Sequence, residues 1–225
     1  SSSGVGEEQK GKRARCLQKR AKRRLQTFLQ EQGEPAPAFA DSPSLLERRA
    51  VSKQAAEQYQ KNLEKFKQVL LYILENVGAK PNVGMTVLYK LLYFSDFDYY
   101  EKYEEQLMGL TYIKNTHGPT PREFVTVVHD MQERGELIEV KSKFFKHEQK
   151  KYLPNCEPNL SLLSAQELEL IDDVLGRYAD KTARQLSDIS HRDMPWKATG
   201  DTENIDYELV FYRSDEFSVR EYDDV

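Results

Sequence analysis

The sequence predicts a mainly α fold with a small β component (α+β): a compact helical domain with short strands and one β-hairpin. Three observations predict it. An apolar stripe recurs at steps of three and four through Tyr59, Leu63, Phe66, Leu70, Ile73 and Val77, the spacing of one buried helix face. Ser or Thr stands three residues before Glu or Gln at Thr120–Glu123, Ser164–Glu167 and Thr182–Gln185, the pattern of capping boxes that open helices. Two segments, ELIEV at 136–140 and QKKYLP at 149–154, flank the lysine-rich KSKFFKHE and suit a hairpin.

In chain order, residues 1–50 are expected to be a basic flexible arm and a Pro-rich linker. Nine of the fifteen residues from Lys10 to Arg24 are basic, and Arg13, Arg15, Lys19, Arg20, Lys22, Arg23 and Arg24 are candidate nucleic-acid contacts. A membrane-surface arm or a solvated tail fits the same charge block. The pattern allows a helix through LQKRAKRRLQTFLQEQ, which the three prolines of GEPAPAFADSP would end. The folded part is expected from about Ser52, in a domain spanning 51–213. Its first helix stops at Gly78 and Pro81. A second runs from about Met85 to Tyr103, with Leu88, Leu91, Leu92, Tyr93, Phe94, Phe97 and Tyr99 covering nearly its whole circumference, so it should be the central, buried helix.

GLTYIKNT (109–116) suits a short strand. In HGPTPREF, Thr120 is expected to cap, with Pro121 at the first helical position of a helix over 121–134. That helix buries Phe124, Val127, Val128 and Met131 and ends at Gly135. After the hairpin come helix 165–179, with Leu168, Ile171, Val174 and Leu175 inward, and a short helix to His191, with Leu186 and Ile189 inward. IDYELVFYR suits a short strand or helical turn. The acidic end, 214–225, is expected to be a C-terminal tail.

Charge is unevenly spread. Residues 1–60 hold 12 Lys/Arg against 7 Asp/Glu, and the remainder hold 21 against 30. An acidic body disfavours broad contact with nucleic acid. Cys16 and Cys156 support neither a disulfide framework nor a metal knuckle. No stretch approaches the ~20 apolar residues of a membrane span, and a cytoplasmic location is expected. The four histidines sit in different elements, without the i, i+4 spacing of a metal helix. GxGxxG, GxxxxGK[ST] and GxSxG are absent. No enzyme chemistry, cofactor or metal is therefore expected. Helix 121–134 with its hairpin has the outline of a winged helix, but Glu123, Asp130 and Glu133 outnumber Arg122 and Arg134, the wrong sign for a DNA groove.

Lys90 stands alone in the apolar run MTVLYKLLYFSDFD. An unpaired buried ammonium costs several kcal/mol, so Lys90 must snorkel or meet a carboxylate. Asp96, six residues on, is off its face, which leaves a partner from another element, such as Asp193 or Glu123. Trp196 is expected to anchor the core at the end of the last helix, with His191 and Asp193 hydrogen-bonding across the turn.

KLLYFSDFDYYEKY, GLTYIKNTHGPTPREF, GEL at 135–137, LSAQELELIDDVLGRYADKTARQLSDISHRDMPWKAT and IDYELVFYR, in that order, resemble the Panacea domain of SocA-like antitoxins and related phage-associated proteins. The resemblance covers about 56–213. Its pattern falls on Lys90, Tyr93, Phe94, Tyr112, Lys114, Gly118, Pro119, Pro121, His191, Asp193, Pro195 and Trp196, as structural or partner-binding residues without a catalytic assignment. It implies a non-enzymatic antitoxin of a toxin–antitoxin system or a phage or mobile-element locus. Such a protein neutralises a cognate toxin by direct binding, and one member delivers its toxin to an ATP-dependent protease. Tyr99, Tyr100, Tyr103, Phe144, Phe145 and Tyr212 are the candidate toxin contacts. The alternative is a DNA-binding regulator that grips operator DNA with the arm and the lysine hairpin.

Overall fold

A computed structural model describes residues 45–145 and 147–220. The chain divides into two units, Ser1–Gln54 and Ala55–Val225. Of the first, only the opening turns of helix α1 (Leu45–Val77) are described, and the basic cluster of residues 10–24 lies outside the described residues. Helix α1 begins earlier than Ser52, since ERRAVSKQAAEQ holds no Pro or Gly to stop it. Its stripe is buried at Phe66, Leu70, Ile73 and Val77, while Tyr59 at the head of the stripe is exposed.

Helix α2 (Met85–Tyr103) is the centre of the second unit. It packs against the first hairpin, the second hairpin, two later helices and the last 3₁₀ turn. Its apolar residues wrap the whole circumference because neighbours cover every side, as the central-helix pattern requires.

Strands β1 (Tyr112–Asn115) and β2 (Gly118–Pro121) form an antiparallel hairpin, in register Tyr112↔Pro121 to Asn115↔Gly118. This corrects the expected cap at Thr120. Pro121 closes a strand, and helix α3 (Phe124–Glu133) starts three residues later behind Glu123 without a side-chain cap. The Glu123 carboxylate instead accepts from the Thr111 N–H at 3.1 Å, which ties the base of the hairpin and leaves it unable to close a box. Residues 202–205 run along the free edge of β1, where Ile205 N–H donates to Tyr112 O at 2.8 Å.

Helix α3 buries the four apolar residues expected of it, and Gly135 ends it at φ 72°, a left-handed position that suits glycine. Strands β3 (Leu137–Phe144) and β4 (His147–Pro154) make the second hairpin, in register Leu137↔Pro154 to Phe144↔His147. Helices α4 (Ala165–Tyr178) and α5 (Ala183–Arg192) open on the two expected capping boxes, Ser164–Glu167 and Thr182–Gln185. Helix α6 (Met194–Ala198) carries Pro195 in its first turn, and a 3₁₀ turn spans Tyr207–Tyr212. The expected tail is corrected over 214–220. Phe217 is buried, Ser218 Oγ and Val219 N–H donate to Glu101, and Arg220 reaches Glu104.

Candidate functional site

Of the residues singled out in the sequence, Lys90, Tyr93, Phe94, Tyr112, Gly118 and Asp193 lie on or against α2. Lys90 is fully buried. Its Nζ donates to the Pro119 carbonyl at 3.0 Å, so the expected carboxylate partner is replaced by a backbone oxygen. Burial lowers its pKa to about 7, because removing an ammonium from water penalises the charged form. Glu123 is occupied at Thr111, and Asp193 belongs to a different cluster.

Gly118 explains why the first hairpin can approach Lys90. It sits at φ 99°, and a Cβ there would lie 2.5 Å from Ser190 Oγ and 2.6 Å from Lys90 Cε. Only glycine lets strand β2, α2 and α5 meet this closely.

Asp193 is fully buried. It receives Arg213 in bidentate fashion, Nε to Oδ1 at 2.9 Å and Nη2 to Oδ2 at 2.7 Å, and Tyr93 Oη at 2.9 Å. The other edge of Arg213 donates to Asp98 Oδ1 at 2.7 Å and Glu101 Oε2 at 2.9 Å. Arg177 completes Asp98 at 2.6 Å. Two guanidinium groups thus face three carboxylates, and neutral donors from Tyr93, Ser218 and Val219 take up the remaining acceptor capacity. Burial alone would lower the Arg213 pKa, but Asp193 and Asp98 together hold it well above its ordinary value. The expected His191–Asp193 bond is therefore replaced: Asp193 is turned onto Arg213, a residue that local sequence pattern gave no reason to choose.

Asp96 accepts from Met108 N–H at 2.7 Å and Tyr112 Oη at 2.9 Å, and burial raises its pKa to about 6. Tyr93 and Tyr112 meet edge to face at 5.7 Å, and Phe94 stacks on Tyr178 at 4.4 Å. On the outer side His191 stacks on Trp196 at 4.1 Å, with Lys114 Nζ over the indole at 4.1 Å and bonded to Thr199 O at 2.8 Å. His191 is held below its usual pKa by burial and then by Lys90. Trp196 is half-buried, so it braces α5 against α6 and the end of β1 from the side.

Pro119, Pro121 and Pro195 are buried backbone supports in β2 and α6. Among the described residues no group of three or more His, Cys, Asp or Glu is placed to hold a metal.

The candidate toxin contacts separate. Tyr99 is 5% exposed with its ring packed on Tyr103, too deep for the toxin contact expected of it. Tyr100 and Tyr103 are half-buried, and the Tyr100 hydroxyl donates to Glu208 at 2.5 Å. Phe144 is half-buried beneath Phe145, which is 85% exposed, and Tyr212 is 50% exposed.

Residues 88–197, from the first buried leucine of α2 to Lys197 in α6, match the family described as antitoxin SocA-like, Panacea domain. That stretch is similar to the Panacea domain. No curated protein and no solved structure matches the chain. The matched stretch holds Lys90, Gly118, Asp98, Arg177, Asp193 and Trp196, but Arg213 lies sixteen residues past its end. The buried carboxylates of the matched stretch are thus completed by an arginine beyond it. No described helix is long and apolar enough to cross a membrane.

Proposed function

We propose that this chain is an antitoxin that neutralises a partner toxin by direct protein–protein contact and catalyses no reaction itself. The observation that carries the reading is the match of residues 88–197 to the antitoxin SocA-like, Panacea domain family. The geometry supports it in one respect. The family-pattern residues are consumed in holding the fold, with Lys90 on a carbonyl, Asp193 on Arg213 and Trp196 under Lys114. Contact with a partner then falls to surface residues, where exposed aromatic side chains give large contact area at low entropic cost.

The test uses the adjacent reading frame. Expressed alone its product should arrest growth, and co-expression of this chain should restore growth and give a complex that co-purifies through size exclusion. Rescue without a complex would overturn direct contact in favour of transcriptional control or delivery to a protease.

A further inference from the structure

We propose that the tip of the second hairpin and the groove beneath it form the docking surface for the partner, and that its occupant is an acidic segment of the partner protein carrying an apolar side chain. This deepens the antitoxin reading and rests on it.

The groove measures about 560 Å³ and lies between the N-terminus of α2, the tip of β3–β4 and the N-terminus of α5. Met85, Val87, Phe144, Phe145 and Ala183 supply its apolar lining. That size accepts one large side chain with its neighbours. Strand β4 is anchored at its middle: Lys151 Nζ donates to Ala79 O and Lys80 O, and Gln149 Nε2 to Pro81 O at 2.7 Å. The tip beyond that anchor is costly to maintain. Phe145 is held at φ 52°, an uncommon conformation for a bulky side chain. Its ring is 85% exposed and meets Phe144 edge to face at 4.6 Å. Lys141 stands directly opposite Lys150 across the strands, a like-charge pairing that weakens a hairpin. Glu139, 3.2 Å from Lys150, offsets this only in part. An exposed ring, a strained backbone and facing lysines contribute nothing to the core, so their use lies outside the molecule.

Charge selects the occupant. The hairpin from 137 to 154 carries five lysines and two glutamates, on a body whose residues 61–225 hold 21 basic against 30 acidic side chains. Arg184 adds a further cation at the groove. A basic spot on an acidic body attracts an acidic segment and repels the same segment everywhere else, which fixes where and how a partner lands. A nucleic-acid duplex would meet the acidic body on either side of the spot, and its phosphates would gain nothing from Phe145 or Met85. The observations favour protein.

The experiment uses the full chain and the purified product of the adjacent reading frame, with affinity measured by calorimetry. Phe145→Asp keeps the tip foldable, since Asp tolerates left-handed backbone. It should lower affinity by about 30-fold or more. Lys141→Glu with Lys143→Glu should lower it by about tenfold, with most of the loss in association rate. Val125→Asp, on an exposed apolar residue of α3 away from the groove, should change nothing. If the wild-type chain binds and the tip variants bind equally well, the docking surface is wrong and the antitoxin reading stands. If the wild-type chain does not bind, the antitoxin reading fails and the surface falls with it. Tip variants that lose binding to a DNA fragment from the same locus, and not to the protein, would also overturn the proposal.

Discussion

The interior around α2 and the tip of the β3–β4 hairpin both concentrate charge and aromatic rings, and they treat them in opposite ways. Inside, every carboxylate has a partner: Asp98, Glu101 and Asp193 share Arg213, and the rings of Tyr93, Phe97 and Tyr112 pack edge to face. At the tip, Lys141 and Lys143 are exposed and Phe145 extends into water. Satisfied buried charge registers elements against one another, whereas exposed charge beside an exposed ring is free to meet a partner. One set of residue types thus serves the fold in one region and is left exposed in the other, where we propose that it serves recognition.

The comparison breaks most visibly at Arg213. Arg213→Ala takes the guanidinium from buried Asp193 and Glu101 and leaves Asp98 with Arg177, and removing one partner of a buried charge cluster costs about 3–5 kcal/mol. Chemical denaturation should show that loss, or a chain too unstable to purify. An unfolding free energy within about 1 kcal/mol of wild type would mean the carboxylates are not held as described. Gly118→Ala comes next. The added Cβ meets Ser190 and Lys90 at a positive φ, and about 2 kcal/mol of stability should be lost.

Lys90 sharpens the contrast through pH. Its pKa falls from an ordinary 10.5 to about 7 on folding, so between those values the unfolded chain binds more protons and stability rises with pH. Lys90→Met removes that rise. At pH 7 the variant should lie within about 1 kcal/mol of wild type. By pH 9 the wild type should have gained about 2 kcal/mol relative to it. Parallel profiles from pH 6 to 9 would show that the amine keeps its solution pKa. The smallest effect is at the tip. Phe145→Ser should leave unfolding unchanged within about 0.5 kcal/mol, since the ring is exposed, and a larger loss would mean that the tip is part of the core.

What was legible in the sequence was local. The span of α2, both capping boxes on α4 and α5 and the existence of the β3–β4 hairpin follow from spacings of two to four residues, which backbone geometry dictates directly. The miss at HGPTP has the same origin. Thr120, Pro121 and Glu123 satisfy a helix-start template, and only Gly118 meeting Ser190 and Lys90 from distant elements makes that segment a strand. Lys90 was rightly marked as a buried oddity, but its partner is a carbonyl 29 positions away. Arg213 joins Asp98 across 115 positions and Asp193 across 20. No periodicity carries such pairings. IDYELVFYR suits a short strand or helical turn, and nothing local in it singles out Arg213.

Native-state hydrogen exchange on the full chain, alone and mixed with the product of the adjacent reading frame, tests the division between interior and tip most directly. Amides of 88–101 and 186–193 should exchange slowly in both samples, and those of 141–150 should exchange fast alone and slow markedly with the partner. Unchanged exchange at 141–150, with new protection confined to α2 and α5, would contradict the account.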